Sequence, residues 1–264
     1  MIHDFDPVLI DFGILQIRWY SLSYIFGILA GWMYGKEIIR KQISNKDQDN
    51  YLKNFDDLIG YIVIGVVIGG RLGYVIFYDP VFYLKNISEI FKLWNGGMSF
   101  HGGFIGVIMA TYIFSNLKKL NYKIYFDTIC CVAPIGLFLG RIANFINGEL
   151  YGIPTEKPWG IIFPKIDNVM RHPSQIYEAL LEGFILFIIL NILATKKILG
   201  NGLISSLFLI LYGTFRIISE QFREPDKHMG YVFEYLSMGS LLSIIMIIFG
   251  LLFLSKIIFN EKNR

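Results

Sequence analysis

The stretch GRIANFINGELYG, residues 140–152, follows a long apolar run and places Arg141, Asn144, Asn147 and Glu149 within nine residues. Arg141 and Asn144 are three residues apart and therefore share one face of a helix. The apolar run puts this arginine at membrane depth, where a charge at a helix centre costs about 2.5 to 3.5 kcal/mol. The stretch thus predicts a membrane helix whose buried charge is offset by other groups.

The composition is that of a polytopic membrane protein. Of the 264 residues, 54% are hydrophobic and 17% are charged, and apolar runs of about 18 or more residues recur along the chain. The N-terminus lacks the pattern of a removable signal peptide, and a net charge of +3 does not indicate a nucleic-acid partner. The adjacent Cys130 and Cys131 fit buried small hydrophobic residues better than a disulfide or a metal site.

The apolar runs predict an all-α fold of about seven transmembrane helices in one integral membrane domain, residues 1–264. We expect small ordered extracytoplasmic elements in the two longest loops, residues 79–97 and 146–175. The predicted spans are residues 20–39, 57–78, 98–116, 124–145, 176–195, 202–222 and 231–258.

The distribution of basic residues predicts the orientation. One set of alternate loops and ends holds 13 Lys and Arg and the other holds 8, so the N-terminus is expected outside and the C-terminus in the cytoplasm. Each predicted span then brings a polar group toward the same outer leaflet, which predicts a single polar cavity on that side. These groups are Tyr20, Arg71, His101, Arg141, Glu178, Arg216, Glu220 and Glu234.

The sixth predicted span carries a polar face. Tyr212, Arg216, Glu220 and Arg223 follow one another at spacings of four, four and three residues, which stacks them on one side of a helix. One interpretation is structural, with Arg216 and Glu220 neutralising each other so that the helix can insert. That pairing leaves the arginines of other spans without acidic partners on their own helices.

Three arginines within predicted spans, Arg71, Arg141 and Arg216, suggest an anion site. A guanidinium stays charged and matches phosphate oxygens with paired hydrogen bonds. The anion available at that depth is a phospholipid head group. For Arg71 itself, snorkelling toward the interface and a structural hydrogen bond are equally compatible with the sequence.

The motif MSFHGGFIG contains His101 beside Gly102, Gly103 and Gly106. The glycines allow another backbone or a ligand to approach this helix start closely. His101 is a candidate general base for a thiol or hydroxyl. The alternative is a histidine that bonds a neighbouring carbonyl and fixes the helix end.

The motif RHPSQIYEALLEG begins the fifth predicted span. Glu178 and Glu182 share a helical face there, and we expect them to act as counter-ions for arginines of neighbouring helices rather than in proton transfer. His172 is expected to orient the start of this helix. His3 and His228 are expected to be solvated.

Taken together, these motifs resemble the prolipoprotein diacylglyceryl transferase family over nearly the whole chain. The resemblance implies that a bacterial inner-membrane enzyme transfers the diacylglyceryl group of phosphatidylglycerol to the lipobox cysteine of a prolipoprotein signal peptide, releasing glycerol phosphate. Ala143 stands where the family often has glycine. The matching motifs are FDPVLIDFG, RWYSLSYIFG, GGRLGYVIFY, GGMSFHGGFIG, GRIANFINGELYG, RHPSQIYEALLEG and YGTFRIISEQFREPD, and the positions carried over are Tyr20, His101, Arg141, Asn144, Glu149, Gly152, Tyr212, Arg216 and Glu220.

We therefore expect a site with no metal and no cofactor, in which His101 activates the thiol or the positive field alone lowers the thiol pKa. A phospholipid or anion transporter with an outer-leaflet arginine site is the alternative function. The predicted catalytic residues are His101, Arg141, Arg216 and Tyr20, and those predicted to bind phosphatidylglycerol are Arg141, Asn144, Glu149, Gly152, Tyr212, Arg216, Glu220 and Arg71.

Overall fold

The computed structural model describes residues 1–13, 16–196, 199–224, 231–232 and 236–262. The protein is mostly helical, as the sequence predicts. Its long helical segments are α1 (Trp19–Gln42), α2 (Asn45–Phe77), α4 (Phe100–Leu117), α5 (Tyr122–Asn147), α6 (Ser174–Glu178) continued by a π-helical segment (Ala179–Ile185) and α7 (Leu186–Lys196), α8 (Leu203–Glu220) and α9 (Met238–Lys262).

Five helices in the described part of the chain are long and apolar enough to cross a membrane, which is the architecture of a multi-pass membrane protein. The helices α1 and α4 coincide with the first and third predicted spans but are not among the five. A total of seven spans and the orientation of the termini therefore stay predictions. The five candidates are Asn45–Phe77, Tyr122–Asn147, Ser174–Lys196, Leu203–Glu220 and Gly239–Asn260.

The predicted start of the seventh span at residue 231 is wrong, because α9 begins at Met238. Ser237 ends the preceding segment, and its hydroxyl accepts a hydrogen bond of 3.1 Å from the backbone N–H of Ser240. Such a bond satisfies one of the unpaired N–H groups of the first helical turn. Glu234 lies outside the described residues.

Both long loops contain small ordered elements, as predicted. The first holds α3 (Pro80–Lys85) and two 3₁₀ turns (Ile87–Phe91 and Leu93–Asn95). The second holds the antiparallel pair β3 (Ile161–Ile162) and β4 (Met170–Arg171). A further pair, β1 (Val8–Asp11) and β2 (Gln16–Arg18), precedes α1.

The chain divides into two compact units. The first unit consists of residues 36–126, and the second consists of residues 1–35 together with residues 127–264. In the first unit α2 and α4 pack through glycines. A methyl group on Gly65 would lie 2.6 Å from the Gly106 carbonyl oxygen, and one on Gly73 would lie 2.7 Å from the Gly102 α-carbon. Gly102 and Gly106 therefore admit another backbone, as the motif predicts, because glycine leaves room for close helix contact.

In the second unit His3 is buried, so the prediction that it is solvated is wrong. Its backbone N–H donates to the Ile162 carbonyl over 2.8 Å, and its Nε2 lies 2.6 Å from the Phe145 carbonyl oxygen. Phe5 and Phe163 pack against the ring. The extended N-terminus thus covers the second long loop and carries its histidine inward. His228 lies outside the described residues.

Candidate active site

Six ionisable side chains of the second unit form a group that we call the buried charge cluster. Glu178 and Glu182 are fully buried, and Arg216 and Arg223 are about nine-tenths buried. The cluster joins α5, the α6 and π-helical segment, and α8 with the turn that follows it. Its members are Arg141, Glu178, Glu182, Arg216, Glu220 and Arg223.

Arg141 is held by two acids of another helix. Its Nη1 lies 3.0 Å from Glu178 Oε2, and its Nη2 lies 3.1 Å from Glu182 Oε2. Its side chain is 15% exposed. Since a guanidinium has five N–H donors, the two contacts found among the described residues leave donors available to a further acceptor.

Arg216 shares the same two carboxylates. Its Nη1 lies 2.9 Å from Glu178 Oε1 and 3.5 Å from Glu182 Oε1, and its Nη2 lies 2.6 Å from Glu220 Oε2. Arg223 adds a contact of 3.3 Å to Glu178 Oε1. The pairing of Arg216 with Glu220 is thus present, but it is one part of a larger network.

The local structure of the α6 segment presents both acids to the arginines. The chain leaves the α-helical pattern directly after Glu178, and Glu182 lies in the π-helical segment, a feature frequent at functional sites. Gly183 allows α5 to approach closely, because a methyl group there would lie 2.6 Å from Phe138 Cβ. Arg141 follows Phe138 by three residues and is thereby brought against the two glutamates.

These contacts confirm the predicted counter-ion role of Glu178 and Glu182. Arg141, which has no acidic partner on its own helix, is thus paired from another helix. With three guanidinium and three carboxylate groups the cluster is formally neutral, and this pairing offsets the cost of burying each charge. Any affinity of the cluster for an anion must therefore come from directed N–H donors and not from excess positive charge.

Tyr212 lies one turn before Arg216 on α8 and belongs to the same surroundings. It is 5% exposed and stacks on Phe208 at a ring distance of 5.7 Å. It interacts electrostatically with Glu182 and Arg141. The predicted face of α8 is therefore turned toward the cluster.

A second polar group lies where α5 ends. Asn144 donates from Nδ2 to Glu149 Oε1 over 2.8 Å, and Asn147 donates to the same oxygen over 3.1 Å. The Tyr20 phenol contacts the Asn144 side chain. The chain reverses direction at Gly148, which has a φ of 70°, and this turn folds Glu149 back onto the helix end. Tyr20, Asn144 and Glu149 are thus brought together.

Gly152 has a packing role in the structure. A methyl group there would overlap the carbonyl oxygens of His172 and Phe222. Its N–H donates to the His172 carbonyl over 3.0 Å, and its own carbonyl accepts from Arg171 Nη1 over 3.0 Å. The N–H and the carbonyl group of Gly152 are thus both hydrogen-bonded within the protein.

His172 orients the helix start, as predicted. Its carbonyl accepts from the backbone N–H of Ser174 over 2.9 Å, and its Nδ1 lies 3.0 Å from the Tyr177 hydroxyl. Partial burial, together with the charge of Lys157, lowers the pKa of His172 from its ordinary value.

His101 and Arg71 belong to the unit of residues 36–126. His101 is half-buried in the first turn of α4. Ser99 caps this helix by accepting from the Gly102 N–H over 3.2 Å, and its own N–H donates to the Gly70 carbonyl over 2.8 Å. The start of α4, and with it His101, is therefore fixed to α2.

Arg71 is 4% exposed and is hydrogen-bonded within the protein, which bears out the structural alternative. Its guanidinium donates to five backbone carbonyls of the first long loop and lies 5.2 Å from the Tyr83 ring centroid. All five donors of the side chain are engaged, so the residue organises this loop. The acceptors are the carbonyl oxygens of Glu89, Ile90, Lys92, Gly96 and Gly97.

Three polar residues of the second unit escaped the sequence analysis. Ser219 donates to Glu182 Oε1 over 3.1 Å. Its position three residues after Arg216, on the same helical face, is the sequence pattern that could have indicated it. Gln175 donates from Nε2 to the Glu149 carbonyl over 2.7 Å. Fully buried Asp127 is the one acidic residue of the fourth predicted span, and it accepts hydrogen bonds from the turn that begins α8.

Comparisons with known proteins cover almost the whole chain. A family model described as prolipoprotein diacylglyceryl transferase matches residues 7–256. Similar relatives carry the name phosphatidylglycerol–prolipoprotein diacylglyceryl transferase. One from Rickettsia bellii (strain OSU 85-389) is 49% identical over 95% of this chain and 95% of its own. The relative from Rickettsia felis is 50% identical over 93% and 94%, and that from Rhodopseudomonas palustris is 48% identical over 94% and 88%.

Proposed function

Because this chain belongs to the prolipoprotein diacylglyceryl transferase family, we propose that the buried charge cluster holds the phosphate of its donor lipid. The protein is an enzyme that transfers the diacylglyceryl group of phosphatidylglycerol to a prolipoprotein. The observation that carries the proposed site is the sharing of Glu178 and Glu182 by Arg141 and Arg216.

The shared carboxylates orient both guanidinium groups before substrate arrives. Preorganised donors in a site of low dielectric stabilise charge that develops during the reaction, because they need no reorganisation at that moment. Arg141, with part of its side chain exposed, is the member that presents free donors to a phosphate oxygen. Arg216 supplies the second positive group, and Glu220 fixes its position.

The reaction proceeds as a displacement at the glycerol carbon that carries the phosphate oxygen. The sulfur of the acceptor cysteine forms a bond to this carbon while the carbon–oxygen bond breaks, and glycerol phosphate leaves with the bonding electrons. A free thiol has a pKa near 8.5 and must lose its proton to attack. The candidate base for that proton is His101, and the alternative is that directed guanidinium N–H donors favour the thiolate.

The remaining predicted residues position the substrates. Tyr20 and Asn144 orient the head group or the peptide, and Tyr212 borders the phosphate site. Glu149 accepts hydrogen bonds from the side-chain amides of Asn144 and Asn147 and thereby fixes their orientation. Direct contacts of Gly152 and Arg71 with lipid stay predictions, and either residue would first have to release backbone partners. We assign to Gly152 the packing of its own loop and to Arg71 the organisation of the first long loop.

The leaflet that the site faces, the number of spans and the acceptor residue are inferred from the sequence. The site faces the outer leaflet of the bacterial inner membrane, the chain forms one domain with seven spans, and the acceptor is the lipobox cysteine of a signal peptide. The one-sided placement of polar groups and the bias of basic residues support this arrangement. That the reaction needs no metal and no cofactor stays a prediction. No observation on the described residues favours the transporter alternative.

The test uses the purified protein, phosphatidylglycerol and a lipobox peptide, with lipidation followed as a gel shift. We expect a thioether product with wild type, none with a Cys→Ala peptide, and a large loss with Arg141→Ala. His101→Ala then separates a base from a group that fixes the helix start. A Cys peptide that wild type leaves unmodified would overturn the assignment of the acceptor.

A further inference from the structure

Two buried side-chain oxygens near the end of α5 have no hydrogen-bond donor among the described residues. They are Asn147 Oδ1 and Gln175 Oε1, and Gln175 is 0% exposed. A buried acceptor without a partner is costly, so native proteins rarely leave one unmatched. Two such oxygens in one neighbourhood indicate that a donor is supplied from elsewhere.

Both side chains are oriented by Glu149. Asn147 donates from Nδ2 to Glu149 Oε1 over 3.1 Å, and Gln175 donates from Nε2 to the Glu149 carbonyl over 2.7 Å. Rotating either side-chain amide by half a turn would place its oxygen against the Glu149 oxygen that now accepts from its nitrogen. The unpartnered atom of each amide is therefore the oxygen, which is a neutral acceptor.

These acceptors continue the helical faces that carry the buried charge cluster. Asn147 follows Arg141 and Asn144 at intervals of three residues on α5, and Gln175 precedes Glu178 by three on α6. Residues three apart are neighbours on a helix, so a lipid whose phosphate binds Arg141 can extend its head group toward these positions. A neutral amide oxygen suits a hydroxyl donor.

We propose that Asn147 and Gln175 accept hydrogen bonds from the head-group hydroxyls of the donor phospholipid and thereby select a polyol head group. This inference rests on the proposed function. Lipids that lack head-group hydroxyls leave both oxygens unpaired, and sites built around a hydroxyl reject such analogues strongly.

The experiment compares two donor lipids, phosphatidylglycerol and phosphatidyl-1-propanol, which has the same phosphodiester but no head-group hydroxyl. For each lipid kcat/KM is measured with wild type, Gln175→Met and Gln175→Asn. Methionine removes the amide, whereas asparagine keeps an amide with both a donor and an acceptor. Asn147→Leu supplies the same comparison should Gln175→Met fail to accumulate as folded protein.

We expect wild type to prefer phosphatidylglycerol by roughly five- to one-hundred-fold. Gln175→Met should lose most of this preference through a lower kcat/KM for phosphatidylglycerol, and Gln175→Asn should retain part of it. Equal losses on both lipids in Gln175→Met and Asn147→Leu would assign the amides to structure or to a bound water, and would overturn the inference. Equal kcat/KM of wild type for the two lipids would also overturn the inference. Wild type inactive on both lipids would instead refute the proposed function.

Discussion

Nη1 of Arg141 lies 3.0 Å from Oε2 of Glu178, an acid with no exposed surface. The same carboxylate is in contact with Arg216 and Arg223. A buried carboxylate that balances several guanidinium groups contributes to folding as well as to the site. Its removal leaves uncompensated positive charge in a medium that solvates charge poorly.

We therefore expect Glu178→Gln to destabilise the protein by about 3 to 5 kcal/mol. Denaturant unfolding in detergent measures the change. Glu37→Gln is the matched control, since Glu37 forms its ion pairs with Arg40 and Lys41 on an exposed surface and should change stability little. Similar unfolding of the two variants would contradict the structural role of Glu178.

Arg141→Lys should lower kcat by about 10²- to 10³-fold, the typical cost of losing one preorganised donor to a developing negative charge. Lysine keeps the charge but not the planar set of donors. Turnover of a lipobox peptide is the measurement, with Arg40→Lys, at an exposed ion pair, as the control. A lysine enzyme that keeps most of its turnover would show that charge alone suffices at this position.

Arg71→Lys should loosen the first long loop without unfolding the protein. Lysine offers three donors in place of five and cannot reach all five carbonyls. Hydrogen exchange should rise at the loop amides of Glu89, Lys92 and Gly96, whose N–H groups donate within the loop. Unchanged exchange at these amides would mean that the loop is held by its own turns.

Gly106→Ala and Gly103→Ala form a matched pair on α4. A methyl group on Gly106 would overlap the Gly65 carbonyl, whereas one on Gly103 would lie 3.7 Å from Val66 atoms. We expect Gly106→Ala to cost about 1 to 3 kcal/mol or more and Gly103→Ala to be tolerated. Thermal denaturation of the two variants in detergent checks this difference, and equal melting temperatures would refute the close packing of α2 on α4.

His172 predicts a dependence of stability on pH. Its pKa in the folded protein lies below the ordinary value of 6.5, so below pH 6.5 the unfolded chain binds more protons than the folded one. Stability should fall as the pH drops from 6.5 through the folded pKa and then level off. Unfolding measured at several pH values, with His172→Gln as comparison, isolates this contribution. A variant with the same pH dependence as wild type would assign the effect to other groups.

Local sequence patterns determined much of this protein. Long apolar runs indicated the membrane class, since a helix must carry enough apolar residues to cross the bilayer. The spacing of Tyr212, Arg216 and Glu220 placed them on one face, because residues three and four apart are neighbours on a helix. The same rule indicated Glu178 and Glu182 as counter-ions, and the motifs indicated the family.

Only the tertiary structure decided which groups meet. The partners of Arg141 lie on another helix, and they depend on the close approach of α5 to Gly183 and on the π-helical segment after Glu178. The carbonyls around Arg71 and the burial of His3 likewise depend on how loops fold back. Helical periodicity describes neighbours within one or two turns, whereas pairing between distant segments is fixed by packing, to which a single sequence gives no direct access.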